Sequence, residues 1–137
     1  MAITAGITLT SAAGDLVTDA LVLSTSTNLT KAGSSTNALA QTSGLARKTT
    51  ESASQYILFD ADDYPSGPAK AGKIYLKNTE TTAGLFFTIS IDTKTIGRIY
   101  AGDFAFLPWS NIDGTNDIKI TPSTSASHTL EYMLLYE

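Results

Sequence analysis

The sequence predicts an all-β fold: a jelly-roll-like antiparallel β-sandwich preceded by an extended or loop-rich N-terminal segment. Three observations carry that expectation. The clearest apolar segments alternate with a period of two, which places successive side chains on opposite faces of a sheet. Turn residues punctuate the later part of the chain every 8 to 12 residues or so, with no strand–helix–strand alternation. Every aromatic residue lies at or after Tyr56, while the 55 residues before it are rich in Ser, Thr and Ala and contain none. Aromatic side chains bury the most apolar surface per residue. The chain is therefore divided at that point, into an N-terminal segment, 1–55, and an aromatic-rich sandwich core, 56–137.

In chain order, residues 7–10 and 19–30 have β-compatible patterns. In the second, Leu21, Leu23, Thr25, Thr27 and Leu29 share one face and Ala20, Val22, Ser24, Ser26 and Asn28 the other. Polar, low-charge strands of this kind are held weakly in register by burial, so they are expected as outer strands or as an arm reaching a neighbour. Residues 31–54 read as a long surface loop marked only by Leu39, Leu45 and the basic pair Arg47-Lys48. A loop of that length is a candidate for function.

Short strands follow at 55–60, 73–77, 95–100, 104–107 and 117–121. Between 85 and 92, Phe87, Ile89 and Ile91 lie on one face and Phe86, Thr88, Ser90 and Asp92 on the other. The last strand, 129–136, sets Leu130, Tyr132, Leu134 and Tyr136 on one side. Its other side carries Met133 and Leu135 as well as Thr129 and Glu131, as expected of a strand covered on both faces or shared with another subunit. Tyr64-Pro65-Ser66-Gly67-Pro68 reads as a rigid loop, Ala101-Gly102-Asp103 as a tight reversal and Asp113-Gly114-Thr115-Asn116 as a hairpin turn.

Composition and charge narrow the function classes. The chain has 137 residues, a net charge of −4 and no cysteine, so thiolate metal sites and disulfides are excluded. Its nine bases are scattered and not interleaved with aromatics, which argues against nucleic acid as a partner. No run approaches the roughly 18 apolar residues of a spanning helix, and the start of the chain has no basic stretch followed by a long apolar one. A soluble protein made in a cytoplasm, with no membrane partner, is expected.

Candidate chemistry is sparse. Asp60, Asp62 and Asp63 could offer oxygens to calcium, yet they lack EF-hand spacing, and a solvated strand end is the expected reading. His128 is the sole histidine, expected to be exposed in a Ser/Thr-rich turn, with no nucleophile motif for it to serve. Glu131 with Asp103 or Asp92 is an arithmetically possible carboxylate pair with nothing else to support it. The chain is not expected to be an enzyme or to need a cofactor.

The densest apolar stretch is 96–109, ending on Pro108 and the only tryptophan. Burying Trp109 is worth about 4–6 kcal/mol at most, and core is its default reading. Pro108, which has no N–H, belongs at a strand end or edge and draws Trp109 toward a rim where a partner could meet it. Candidate partner-binding residues are Tyr100, Phe104, Phe106, Trp109 and Tyr136, together with Arg47 and Lys48.

The run Ala71-Gly72-Lys73-Ile74-Tyr75-Leu76-Lys77-Asn78, then Phe87-Thr88-Ile89-Ser90-Ile91-Asp92, then Gly97-Arg98-Ile99-Tyr100-Ala101-Gly102-Asp103 with Pro108-Trp109, closes on Leu130-Glu131-Tyr132-Met133-Leu134-Leu135-Tyr136-Glu137. This layout, about half the chain, resembles small virion proteins of tailed bacteriophages, most of all head decoration (cement) proteins. The resemblance implies a β-rich homotrimer, made in the host cytoplasm, that binds the major capsid protein on the outer surface of the assembled head and stabilises it, and it implies no catalytic residue. The alternative is a tail-fibre or receptor-binding module, in which Tyr100, Trp109 or Tyr136 would stack on sugar rings.

Overall fold

The computed structural model describes residues 3–67 and 70–137; Pro68, at the end of the rigid loop expected after Tyr64, lies outside them. Along the described residues run β1 (Thr4–Thr10), β2 (Val22–Asn28), β3 (Gln41–Thr42), β4 (Ala46–Thr50), β5 (Tyr56–Phe59), β6 (Gly72–Asn78), β7 (Phe86–Ile91), β8 (Lys94–Tyr100), β9 (Phe104–Trp109), β10 (Ile118–Pro122) and β11 (His128–Tyr136). A single 3-10 turn, Ala61–Asp63, follows β5.

Strands β4 to β11 form two antiparallel sheets. One has the order β4-β11-β6-β9, with β3 pairing farther along β11; the other has the order β5-β10-β7-β8. From β4 onward the chain changes sheet at every step except β7 to β8. Eight strands in two facing sheets with this connectivity make a jelly roll.

Period-two alternation explains the core. Ile74 on β6 lies opposite Leu134 on β11 and Leu107 on β9, and Leu76 lies opposite Tyr132 and Ala105. The facing sheet contributes Phe87 and Ile89 from β7, Ile99 from β8, and Ile118 and Ile120 from β10. At one end Phe59, Tyr64, Trp109, Tyr132 and Tyr136 nest edge to face, with ring centroids 5.1–6.0 Å apart. Each such pair adds about 0.5–1.5 kcal/mol beyond the area it buries. Gly72 belongs to the same packing, because a Cβ there would sit 3.0 Å from the Trp109 ring and 3.1 Å from the Leu135 carbonyl oxygen.

Strand β11 is covered on both faces, as its mixed pattern requires. Its second face, Met133 and Leu135, packs with Leu29, Leu39, Ile3, Ala5 and Phe106 in a smaller apolar cluster. That cluster fastens the N-terminal segment to the outside of the sheet.

Three expectations differ from the structure. The segment 31–54 contains β4, whose Ala46, Lys48 and Thr50 alternate toward the body; none is a large apolar residue, which is why the strand reads as loop. Lys48 lies against Tyr56, its ammonium 5.2 Å from the ring centre. His128 is fully buried rather than exposed. It shares the inward parity of Leu130 and Leu134, stands edge to face on Phe87 at 5.7 Å, and its Nδ1 lies 2.6 Å from the Ala126 carbonyl oxygen. The Asp113-Gly114-Thr115-Asn116 turn is not a hairpin but a crossing between sheets. Asn111, also buried, shapes it: its Nδ2 donates to the carbonyls of Ala61 (2.6 Å) and Tyr64 (3.0 Å), and its Oδ1 accepts from the Gly114 N–H.

Candidate functional site

The part of the molecule left unsatisfied by its own fold is the β1–β2 hairpin. Its register sets Ala5 opposite Thr27, Ile7 opposite Thr25 and Leu9 opposite Leu23. Opposed residues share a face, so one side of the ribbon carries Ala5, Ile7, Leu9 and Leu23 beside Thr25 and Thr27 and is the more apolar. The other carries Thr4, Gly6, Thr8, Thr10, Ser24, Ser26 and Asn28 with Val22, and is bound by Thr4–Asn28 and Thr8–Ser24 side-chain hydrogen bonds.

Only the base of the apolar side is covered. There the Leu29 N–H donates to the Ile3 carbonyl and the Leu39 N–H to the Leu29 carbonyl. Leu29 and Leu39 are buried against Leu135. Beyond Ala5 every residue of both strands is exposed, Ile7, Leu9 and Leu23 among them, as are Leu16, Val17 and Leu21 in the connecting turn. The hairpin is an arm with an apolar side and no surface of its own body to cover it.

Beside the arm's base, on the outer face of the β4-β11-β6-β9 sheet, lies a groove of about 300 Å³ walled by Ile3, Ala5 and Ile7 and floored by Tyr75, Phe104, Phe106 and Met133. A smaller one of about 150 Å³ flanks the arm on the side of Thr25, Thr27 and Lys73. Tyr75 is held at the edge of the larger groove. Its hydroxyl donates to Glu131 at 3.2 Å, and Glu131 in turn pairs with Arg47 at 3.1 Å. Burial, and next the bond to Glu131, push the Tyr75 hydroxyl above the usual tyrosine range, so it remains a neutral donor.

Of the partner-binding residues expected from sequence, the structure brings Phe104 and Phe106 together in this groove. Phe104 is 67 % exposed, while Phe106 is half-buried beneath the arm. Tyr100 is exposed on the other sheet, 5.3 Å from Phe86, whose ring also carries the Arg98 guanidinium at 4.4 Å. Trp109 is 5 % exposed and its indole N–H donates to the Asn116 carbonyl at 2.8 Å. Tyr136 stands in the aromatic nest. Arg47 and Lys48 sit on β4, engaged with Glu131 and Tyr56. Ile7, Leu9 and Tyr75 are not singled out by the sequence, whereas Leu23 stands out by its parity with Leu21 and Leu29 and Met133 by its parity with Leu135.

The remaining polar clusters have structural partners. Ser123 Oγ is 3.5 Å from His128 Nε2, but it also accepts the Phe86 N–H, and the far ring nitrogen faces a carbonyl instead of a carboxylate. This holds the turn before β11 closed. Asp60 caps the 3-10 turn by accepting the Asp62 N–H, and among the described residues no three His, Asp or Glu side chains converge in a metal-binding group. No helix among them is long and apolar enough to cross a membrane. Glu137 accepts the N–H groups of Ala32 (2.6 Å) and Ala71 (3.0 Å), tying the N-terminal segment to the start of β6. Those bonds, that of Ala32 foremost, hold its carboxyl below the usual range.

No protein-family model matches this chain and no curated protein matches its sequence. Among solved structures, it is similar to a mitogen derived from Yersinia pseudotuberculosis (11 % identity, 69 % of this chain and 85 % of that one, TM-score 0.43). It is also similar to a chain from the disulfide-linked pili that form Bacillus endospore appendages (15 % identity, 76 % and 96 %, TM-score 0.39).

Proposed function

We propose that this chain is a non-enzymatic structural protein of a phage virion, a decoration (cement) protein that binds the major capsid protein on the outside of the assembled head as a homotrimer. The observation that carries the reading is the arm: a two-stranded ribbon, apolar on one side, projecting from a body whose core is already complete. An apolar ribbon in water is a cost that association removes. A decoration protein has to fold before it meets the shell and then gain stability by binding only the assembled lattice. A trimer multiplies modest single-site contacts, because after the first contact the later ones are intramolecular.

The fibre-tip reading is the weaker one, because Trp109, its best sugar platform, is buried and its N–H is bonded internally. The test is co-sedimentation with assembled phage heads. Purified protein is expected to pellet with expanded heads at saturating stoichiometry and to leave unassembled capsid subunits in the supernatant. Equal binding to neither, with the protein monomeric at micromolar concentration, would refute the proposal.

A further inference from the structure

We propose that the exposed outer half of each β1–β2 arm docks into the Phe104 groove of a neighbouring copy, so that subunits are joined by arm-in-groove exchange. The inference rests on the reading of the protein as an oligomer and names the surfaces that make it. The same side of the ribbon that is buried at the base continues outward through Ile7 to Leu9 and Leu23, where nothing covers it. That outer half cannot fill the groove of its own chain. Ile7 already forms the groove wall, and Leu9 lies two residues farther along the same face of a continuous ladder, so turning back would break the β1–β2 pairing.

A second copy offers a matching surface. Each chain carries both an arm and a groove of this kind, and a head-to-tail contact of unlike surfaces closes into a ring when the rotation permits. Charge fits as well. The only charged residues between Ile3 and Thr30 are Asp15 and Asp19, both in the turn at the arm's tip, whereas β6 carries Lys73 and Lys77 on either side of Tyr75. An acidic tip laid along the outer face of β6 meets lysines.

The area is of the right order. Leaving out Val22, which faces the other way, six large aliphatic side chains of the arm are on average about half exposed. At roughly 60–120 Å² for a whole side chain, that is about 200–400 Å² of apolar surface from the arm alone. A stable interface needs about 800 Å² per partner. In a ring each arm-in-groove contact is a separate interface, so the apolar arm supplies about a quarter to a half of one partner's share, and the polar flanks of the ribbon supply the rest.

The chain has no cysteine, so engineered thiols report contacts without background. Leu9→Cys and Phe104→Cys proteins are made separately; both positions are exposed, which leaves the body intact. Mixed and mildly oxidised, they are expected to give a covalent dimer whose linking peptides join positions 9 and 104, at least tenfold above either homodimer. A dominant 9-to-9 bond would overturn the inference, since it means that arms pack on one another. Absence of any cross-link would overturn it too. Co-sedimentation of the same variants with heads keeps the two claims apart: binding without the 9-to-104 bond removes arm exchange and leaves decoration standing, whereas the bond without binding does the reverse.

Discussion

The jelly-roll body and the β1–β2 arm are made of the same kind of backbone, antiparallel strands with alternating sides, and they differ in what the alternation finds opposite it. In the body each inward residue meets another sheet: Phe87, Leu76 and Ile118 are wholly buried. In the arm the apolar side meets the body only as far as Ala5 and then runs on uncovered. Register and hydrogen bonding alone therefore do not make a strand pair stable; a two-stranded ribbon is marginal in water until something packs on it. The body closes its core with its own two sheets, and the arm's apolar side is left open.

The largest effect that separates the two regions is expected from truncating matched apolar side chains. Phe87→Ala should lower the stability of the body by about 3–5 kcal/mol, read from urea denaturation. Leu9→Ala should change the unfolding of the dilute, unassociated protein by no more than about 0.5 kcal/mol while weakening self-association. Equal losses would erase the distinction. Next comes the junction: Leu39→Ala empties the small cluster that seats the arm and should cost about 2–3 kcal/mol, with faster amide exchange in β1 and β2 than in β6.

Much of the body was legible in sequence because its large residues obey strict alternation, as in Phe87-Ile89-Ile91 and Leu130-Tyr132-Leu134. What escaped did so for physical reasons. Strand β4 turns Ala46, Lys48 and Thr50 inward, so no apolar rhythm marks it, and it is paired only because β11 lies beside it. His128 reads as a turn residue from its Ser/Thr neighbours, although its parity with Leu130 places it inside. The groove was half legible. Phe104 and Phe106 stood out as aromatics, but the other wall comes from Ile3, Ala5 and Ile7, about a hundred residues earlier, and only the tertiary fold joins them.

Smaller effects refine the comparison at the tie between the regions. The depressed carboxyl of Glu137 means that its contribution to stability is present at neutral pH and is lost as pH falls through that lowered value, below the ordinary glutamate range. Glu137→Ala should therefore weaken the protein at pH 7 and make its acid unfolding curve shallower at the low end, as followed by circular dichroism. Smallest of all, Arg47→Ala removes an ion pair whose arginine side chain is 69 % exposed. It should cost no more than about 1 kcal/mol, and less in high salt.

Hydrogen–deuterium exchange of the intact protein, first dilute and unassociated and then bound to heads, tests most directly whether the arm depends on a partner while the body does not. The expected result is strong protection of β6, β7 and β11 in both states, with β1 and β2 exchanging fast when dilute and becoming protected on the particle. Arm amides as slow as those of β6 in the dilute protein, or unchanged by binding, would contradict it.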